Sequence, residues 1–152
     1  MELSLPNTCE INNTFYFTGP ARSKALPFFH AMTGCDTVSS FGSKRKKSAF
    51  ETWNACSEAT TGFLAAARGD LEEALPIPER YVVALYDRAS DSTDVNDYRR
   101  RLFTRKGRQL EAIPPTKDAL LQHCRRAAYQ AGFVGGQCTL AVQSLPDPAD
   151  WG

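Results

Sequence analysis

The stretch "HAMTGCDTVSSFGSKRKKSAFETW", from His30 to Trp53, decides how this chain is interpreted. An apolar helical pattern ends at a Gly-Cys-Asp-Thr turn, which contains Asp36. Four consecutive cations follow, from Lys44 to Lys47, and a second helical pattern begins. Glycine commonly ends helices because it tolerates positive φ. The stretch therefore predicts two helices that are joined by a basic loop carrying one carboxylate.

The flanking sequence predicts where these two helices begin and end. Ser23 can cap a first helix that runs to about Thr33. Ala49 and Trp53 lie four residues apart on one face of a second helix, over about residues 46–56. Further downstream, Thr116 can cap a helix in "IPPTKDALLQHCRRAAYQAG", for which Gly132 is a C-cap candidate. We expect a mainly α chain of about five or six helices.

Length and composition indicate one domain or less in a globular chain. The sequence has 152 residues, 42% hydrophobic and 23% charged, and such proportions do not indicate disorder. Its formal net charge is only +1, so the total charge identifies no partner. Residues 44–47 and 99–108, however, hold ten of the 18 lysines and arginines. Such clusters can face an anionic partner.

Cysteine and histidine spacing argues against a structural zinc site. Five cysteines include no Cys-x-x-Cys pair, and the two histidines are far apart in the sequence. The N-terminal sequence lacks the apolar core of a secretory signal, and no apolar run is long enough for a membrane span. We therefore expect a nuclear or cytoplasmic protein that is neither secreted nor bound to membranes.

Asp36 has two interpretations on local sequence. Its carboxylate could bind Mg²⁺ or Mn²⁺, which prefer oxygen ligands. Two-metal hydrolysis of a phosphodiester, however, needs several carboxylates around the two ions. The other interpretation is that Asp36 caps the following turn through backbone N–H groups, and the local sequence favours it.

The two basic segments also have alternative interpretations. The run from Lys44 to Lys47 could bind phosphates, act as a nuclear import signal, or form an ordinary solvated loop. The arginines of residues 99–108 surround a helix, so part of that segment faces solvent in any case. Tyr98 and Phe103 lie among these arginines, but aromatic residues at helical spacing usually belong to the core.

The stretch "SKALPFFHAMTGCDTVSSFGSKRKKSAFETW", residues 23–53, resembles a transposon-like, multi-copy family of animal proteins. Its usual form reads close to "ALPVFHALTGCDTTSAFRGKGKKTAWQTW". The resemblance continues to residue 133. The Gly-Cys-Asp turn, basic hairpin and following helix are in turn similar to part of the flap-endonuclease superfamily of PIN-like five-prime nucleases.

That resemblance implies roles for particular residues. Asp36 would be a ligand of the second metal site, and residues 43–47 would form a hairpin that binds the DNA backbone. The two hairpin glycines of the family align with Ser43 and Arg45, which resist the backbone conformation that glycine allows. The nucleic-acid-binding candidates are thus the hairpin residues and three cations of the second basic segment: Ser43, Lys44, Arg45, Lys46, Lys47, Arg105, Lys106 and Arg108.

In such nucleases the carboxylates of the first metal site lie upstream, on a central sheet. The resemblance therefore implies a helical C-terminal fragment of a PIN-like α/β fold without that sheet. We expect an unmatched leader (1–18), a helical region (19–134) and a tail (135–152). No cofactor is expected for this chain, because Mg²⁺ would require the upstream half.

Three functions follow as hypotheses. The first is a catalytically inactive part of a flap-endonuclease-like protein that binds DNA weakly through its basic segments. The second is a helical protein-interaction module, and the third is a gene fragment without a selected function.

Overall fold

A computed structural model describes residues 8–11, 14–17, 19–105, 107, 109–134, 147 and 149. The chain is mainly helical, as the sequence predicts. Two short strands, β1 (Thr8–Ile11) and β2 (Thr14–Phe17), pair antiparallel ahead of the helices. The helices are α1 (Pro20–Met32), α2 (Lys46–Ala55), α3 (Ala59–Ala67), α4 (Leu71–Ala74), α5 (Pro76–Tyr86), α6 (Val95–Phe103) and α7 (Lys117–Ala128). A 3₁₀ turn (Leu110–Ala112) precedes α7, and a π-helical segment (Tyr129–Val134) follows it.

The start of α1 differs from the prediction. The helix begins at Pro20, with Gly19 as its N-cap, rather than after Ser23. Proline suits the first helical position because it lacks an N–H that would be unpaired there, and its φ is already helical. The helix ends at Met32, close to the predicted Thr33.

The second helix lies where the sequence predicts it. For the last helix, the predicted start is confirmed and the predicted end is wrong. Helix α2 covers Lys46–Ala55, and Ala49 and Trp53 are buried on one face as expected. Thr116 caps α7 as predicted, because its hydroxyl accepts the backbone N–H of Ala119 (3.3 Å). Gly132, in contrast, is not a C-cap. It lies within the π-helical segment that extends the chain beyond α7.

Aromatic side chains from four helices form the centre of the core. Trp53 of α2 stacks on Phe29 of α1 with ring centroids 4.6 Å apart, and it meets Phe63 of α3 edge to face at 5.4 Å. Phe63 in turn contacts Tyr81 of α5 at 5.0 Å. The hydroxyl of Tyr81 donates to the carbonyl of Ala49 (2.7 Å). These contacts fix α2 against α1, α3 and α5.

A buried carboxylate joins the later helices. Glu79 of α5 is 2% exposed, and it accepts the backbone N–H of Val95 at the start of α6 (2.9 Å). Its other oxygen lies 3.0 Å from Nζ of Lys117 in α7. Burying a charge is tolerated here because the charge is both paired and hydrogen-bonded.

In the described part of the chain, none of the helices combines the length and apolar character that a membrane span requires.

Candidate nucleic-acid interface

The C-terminus of α1 determines the shape of the basic loop. The last four carbonyls of an α-helix have no partner within the helix, yet all four are hydrogen-bonded here. Backbone N–H groups of the next two residues bond to the carbonyls of Phe29 (3.0 Å) and Ala31 (3.1 Å). Nζ of Lys46 donates to the carbonyl of His30. Nε2–H of His123 in α7 donates to the carbonyl of Met32 (2.7 Å).

Lys46 therefore has a structural role within the predicted binding loop. Besides the His30 carbonyl, its ammonium donates to the hydroxyl of Thr33 (2.8 Å). A cation at a helix C-terminus is also stabilised by the helix dipole. Partial burial lowers the pKa of Lys46, although the nearby Cys35 thiol opposes this effect. These contacts have no local signal in the sequence, because they join Lys46 to residues 13 and 16 positions earlier.

Two glycines and two buried side chains hold the rest of the loop. Gly34 and Gly42 have φ of +108° and +45°. At Gly42 a Cβ atom would lie 2.6 Å from the carbonyl oxygen of Glu111, so a larger residue is excluded. Val38 and Phe41 are 3% and 5% exposed and fix the loop to the core. The tight turn that follows Phe41 thus uses Gly42, and not the two positions, 43 and 45, at which the sequence resemblance predicts hairpin glycines.

The loop folds around an open depression of about 600 Å³, here called the basic depression. Three cations and three serine hydroxyls are among the groups that line it, from Ser39, Ser40, Ser43, Lys44, Arg45 and Lys46. Its cations differ in their contacts: Nζ of Lys44 lies 4.9 Å from the centroid of the Tyr86 ring, and Lys46 is bonded to α1. Arg45 and the adjacent Lys47 are exposed, and neither has a partner among the described residues.

Two arginines of the second basic segment are paired with acids. Arg101 of α6 pairs with Asp91 (3.0 Å) and Asp97 (3.2 Å), and Arg100 also approaches Asp97. Arg99 donates to the carbonyl of Pro114. These α6 arginines therefore present less free positive charge than the sequence indicates. Of the predicted residues beyond α6, Arg105 is exposed and does not line the basic depression.

The predicted positions Lys106 and Arg108 lie outside the described residues. The structure thus brings Ser43, Lys44, Arg45 and Lys46 together at one depression. It places Lys47 beside them on the first turn of α2, and Asp36 lines a different cleft.

The predicted metal ligand Asp36 lies away from the basic depression. It is exposed on the turn after α1, in a cleft that His30, Cys35 and Gln130 also line. Within the described ranges, no group of three or more His, Cys, Asp or Glu side chains is arranged to hold a metal ion. No described hydrogen bond involves the Asp36 carboxylate, so the alternative interpretation as a turn cap receives no support either.

Sequence reasoning missed two residues that line a neighbouring depression together with Ser39, Ser40 and Gly42 of the loop. Tyr86 of α5 and Arg126 of α7 lie beside the loop, although each is distant from it in sequence. His123 also approaches the loop: it is 6% exposed, and its ring lies 4.7 Å from that of Phe41. Only the tertiary fold brings these residues to the loop.

Comparison with protein-family models, with curated proteins and with solved structures finds no match to this chain. The relationship to flap-endonuclease-type proteins therefore stays a prediction from sequence.

We expect Lys46→Met to destabilise the protein, because the carbonyl of His30 loses its donor and the dipole of α1 loses its cation. The expected loss in the free energy of unfolding is about 1–2 kcal/mol. Lys47→Met is the matched control and should change it by less than about 0.5 kcal/mol. Urea unfolding measures both variants, and equal effects would contradict the structural role of Lys46.

We expect stability to fall in mild acid because of His123. Burial lowers its pKa from the ordinary value of 6.5, and Arg126 acts in the same direction, against the Met32 hydrogen bond. Since the folded-state pKa lies below the unfolded one, protonation favours unfolding. The contribution of neutral His123 to the free energy of unfolding is complete above pH 6.5. It is lost as the pH falls from 6.5 toward the pKa of His123 in the folded protein.

Unfolding free energies measured between pH 5 and 8 test this expectation. His123→Gln should flatten the pH dependence in this window, whereas His30→Gln, at an exposed position, should retain it. A pH dependence that is unchanged in His123→Gln would contradict the assignment.

Proposed function

We propose that this chain binds the phosphate backbone of DNA through the loop of residues 39–47 and does not itself cleave DNA. The observation that supports the proposal is the basic depression, where three cations and three serine hydroxyls lie together. Lysine and arginine bind phosphate by charge, and hydroxyl and backbone N–H groups position it.

The start of α2 strengthens this case. Arg45 is the N-cap residue of α2, and it provides no side-chain hydrogen bond to the first turn. The first N–H groups of the helix therefore remain available beside the basic depression. Such groups favour anions, as does the positive end of the helix dipole. A phosphate at this position would contact both the cations of the basic depression and the first backbone N–H groups of α2.

The absence of cleavage follows from the isolation of Asp36. One exposed carboxylate cannot hold and neutralise the two divalent ions that two-metal hydrolysis requires. Kinship with flap-endonuclease-type proteins is part of the proposal, and it rests on the Gly-Cys-Asp turn and the basic loop that follows. Under this proposal, the loop still attracts phosphate although the chain does not cleave DNA.

We expect the double variant Arg45→Ala/Lys47→Ala to weaken DNA binding while leaving the fold intact, because both side chains are exposed and without partners among the described residues. Losing two phosphate contacts should reduce the slope of log K against log salt by roughly 1.4–1.8. Fluorescence anisotropy with a labelled oligonucleotide, at several salt concentrations, measures both effects. Lys46 is left unchanged, because its loss would also disturb α1.

The control is Lys24→Ala/Arg68→Ala, which removes the same charge from exposed positions away from the loop. It should change affinity and salt slope much less. Equal effects of the two double variants would contradict a loop-specific site and would leave the helical interaction module as the better hypothesis. Oligonucleotide recovered after incubation with Mg²⁺ should be intact, and cleavage would contradict the inactive assignment.

A further inference from the structure

A second depression adjoins the basic one and differs from it in character. It has a volume of about 300 Å³ and lies between the loop, the 3₁₀ turn and α7; we call it the side depression. Apolar and aromatic groups line much of it, including Phe41, Tyr86, Ile113 and Pro115. Its volume is at the lower end of the range for ligand pockets, roughly 300–1,000 Å³.

The two depressions are continuous along the loop. Ser39, Ser40 and Gly42 line both of them. Lys44 joins the two sites as well, because it lines the basic depression while its ammonium lies 4.9 Å from the centroid of the Tyr86 ring. A phosphate held at Lys44 is therefore adjacent to an apolar recess rather than to open solvent.

Polar groups at the side depression suit the edge of a base. Arg126 is an exposed donor, and Glu111 is an exposed acceptor on the opposite element. Leu110 also lines the depression and is 82% exposed. A flat, apolar face combined with edge donors and acceptors is what a nucleobase presents to a protein.

We propose that the side depression receives one unpaired base of a single-stranded nucleic acid whose phosphates lie on Lys44 and Arg45. This inference rests on the proposed function and specifies its ligand as single-stranded. In a duplex the bases are paired and stacked, so none can enter the recess without being extruded. The charge of the basic depression and the apolar lining of its neighbour together match the backbone and the base of one nucleotide.

The full chain tests this inference without any substitution. Fluorescence anisotropy compares a labelled twelve-residue oligothymidylate with a twelve-residue abasic strand that carries the same phosphates. We expect the oligothymidylate to bind at least roughly fivefold more tightly, the lower end for one stacked base. Equal affinities would overturn the base pocket and leave the proposed function intact. If neither strand binds, the proposed function fails and the inference fails with it.

Two variants at Ala119 test whether the base binds in the side depression. Ala119 is exposed on the first turn of α7 and lines the side depression, so a larger side chain there should fill the recess without entering the core. Ala119→Leu should reduce the affinity for oligothymidylate to that for the abasic strand, and Ala119→Ser should preserve it. Circular dichroism verifies that both variants fold. Unchanged oligothymidylate binding by Ala119→Leu would overturn the assignment of the pocket.

Discussion

The closure of the α1 C-terminus by hydrogen bonds is the constraint on which the rest of the site depends. Two of its last four carbonyls bond to the backbone that follows, one to Lys46 of α2 and one to His123 of α7. Unpaired carbonyls at this partly buried position would be costly. Three helices are therefore held at one point, and the loop between α1 and α2 has a fixed course between them.

That constraint divides the basic run into two functional groups. Lys46 stabilises the fold, and Lys44 lies over Tyr86, so these two cations are already in contact with protein groups. Arg45 and Lys47 project from the start of α2, which Trp53 holds in the aromatic core. Four like charges in the sequence thus differ in their contacts, and the exposed pair has no partner among the described residues.

Sequence periodicity and capping predicted the elements near this site well, because both are local properties. Thr116 caps α7, and α2 begins at Lys46 as its pattern indicates. The contacts of Lys46 with α1, and the acids that neutralise Arg101, are tertiary and have no local signal. The same reason explains why Tyr86 and Arg126 were missed. Asp36 was recognised as a carboxylate in a turn, but only the structure shows that it belongs to no group of three or more potential metal ligands among the described residues.

Under the proposed function, the loop of residues 39–47, and not the arginines of α6, meets the phosphate backbone. The most direct measurement is a two-dimensional ¹H–¹⁵N NMR titration of the full chain with a short single-stranded oligonucleotide. We expect the largest shifts at the backbone amides of residues 39–48, with much smaller shifts at residues 99–105. The largest shifts in α6, or small shifts spread evenly over the surface, would contradict the claim.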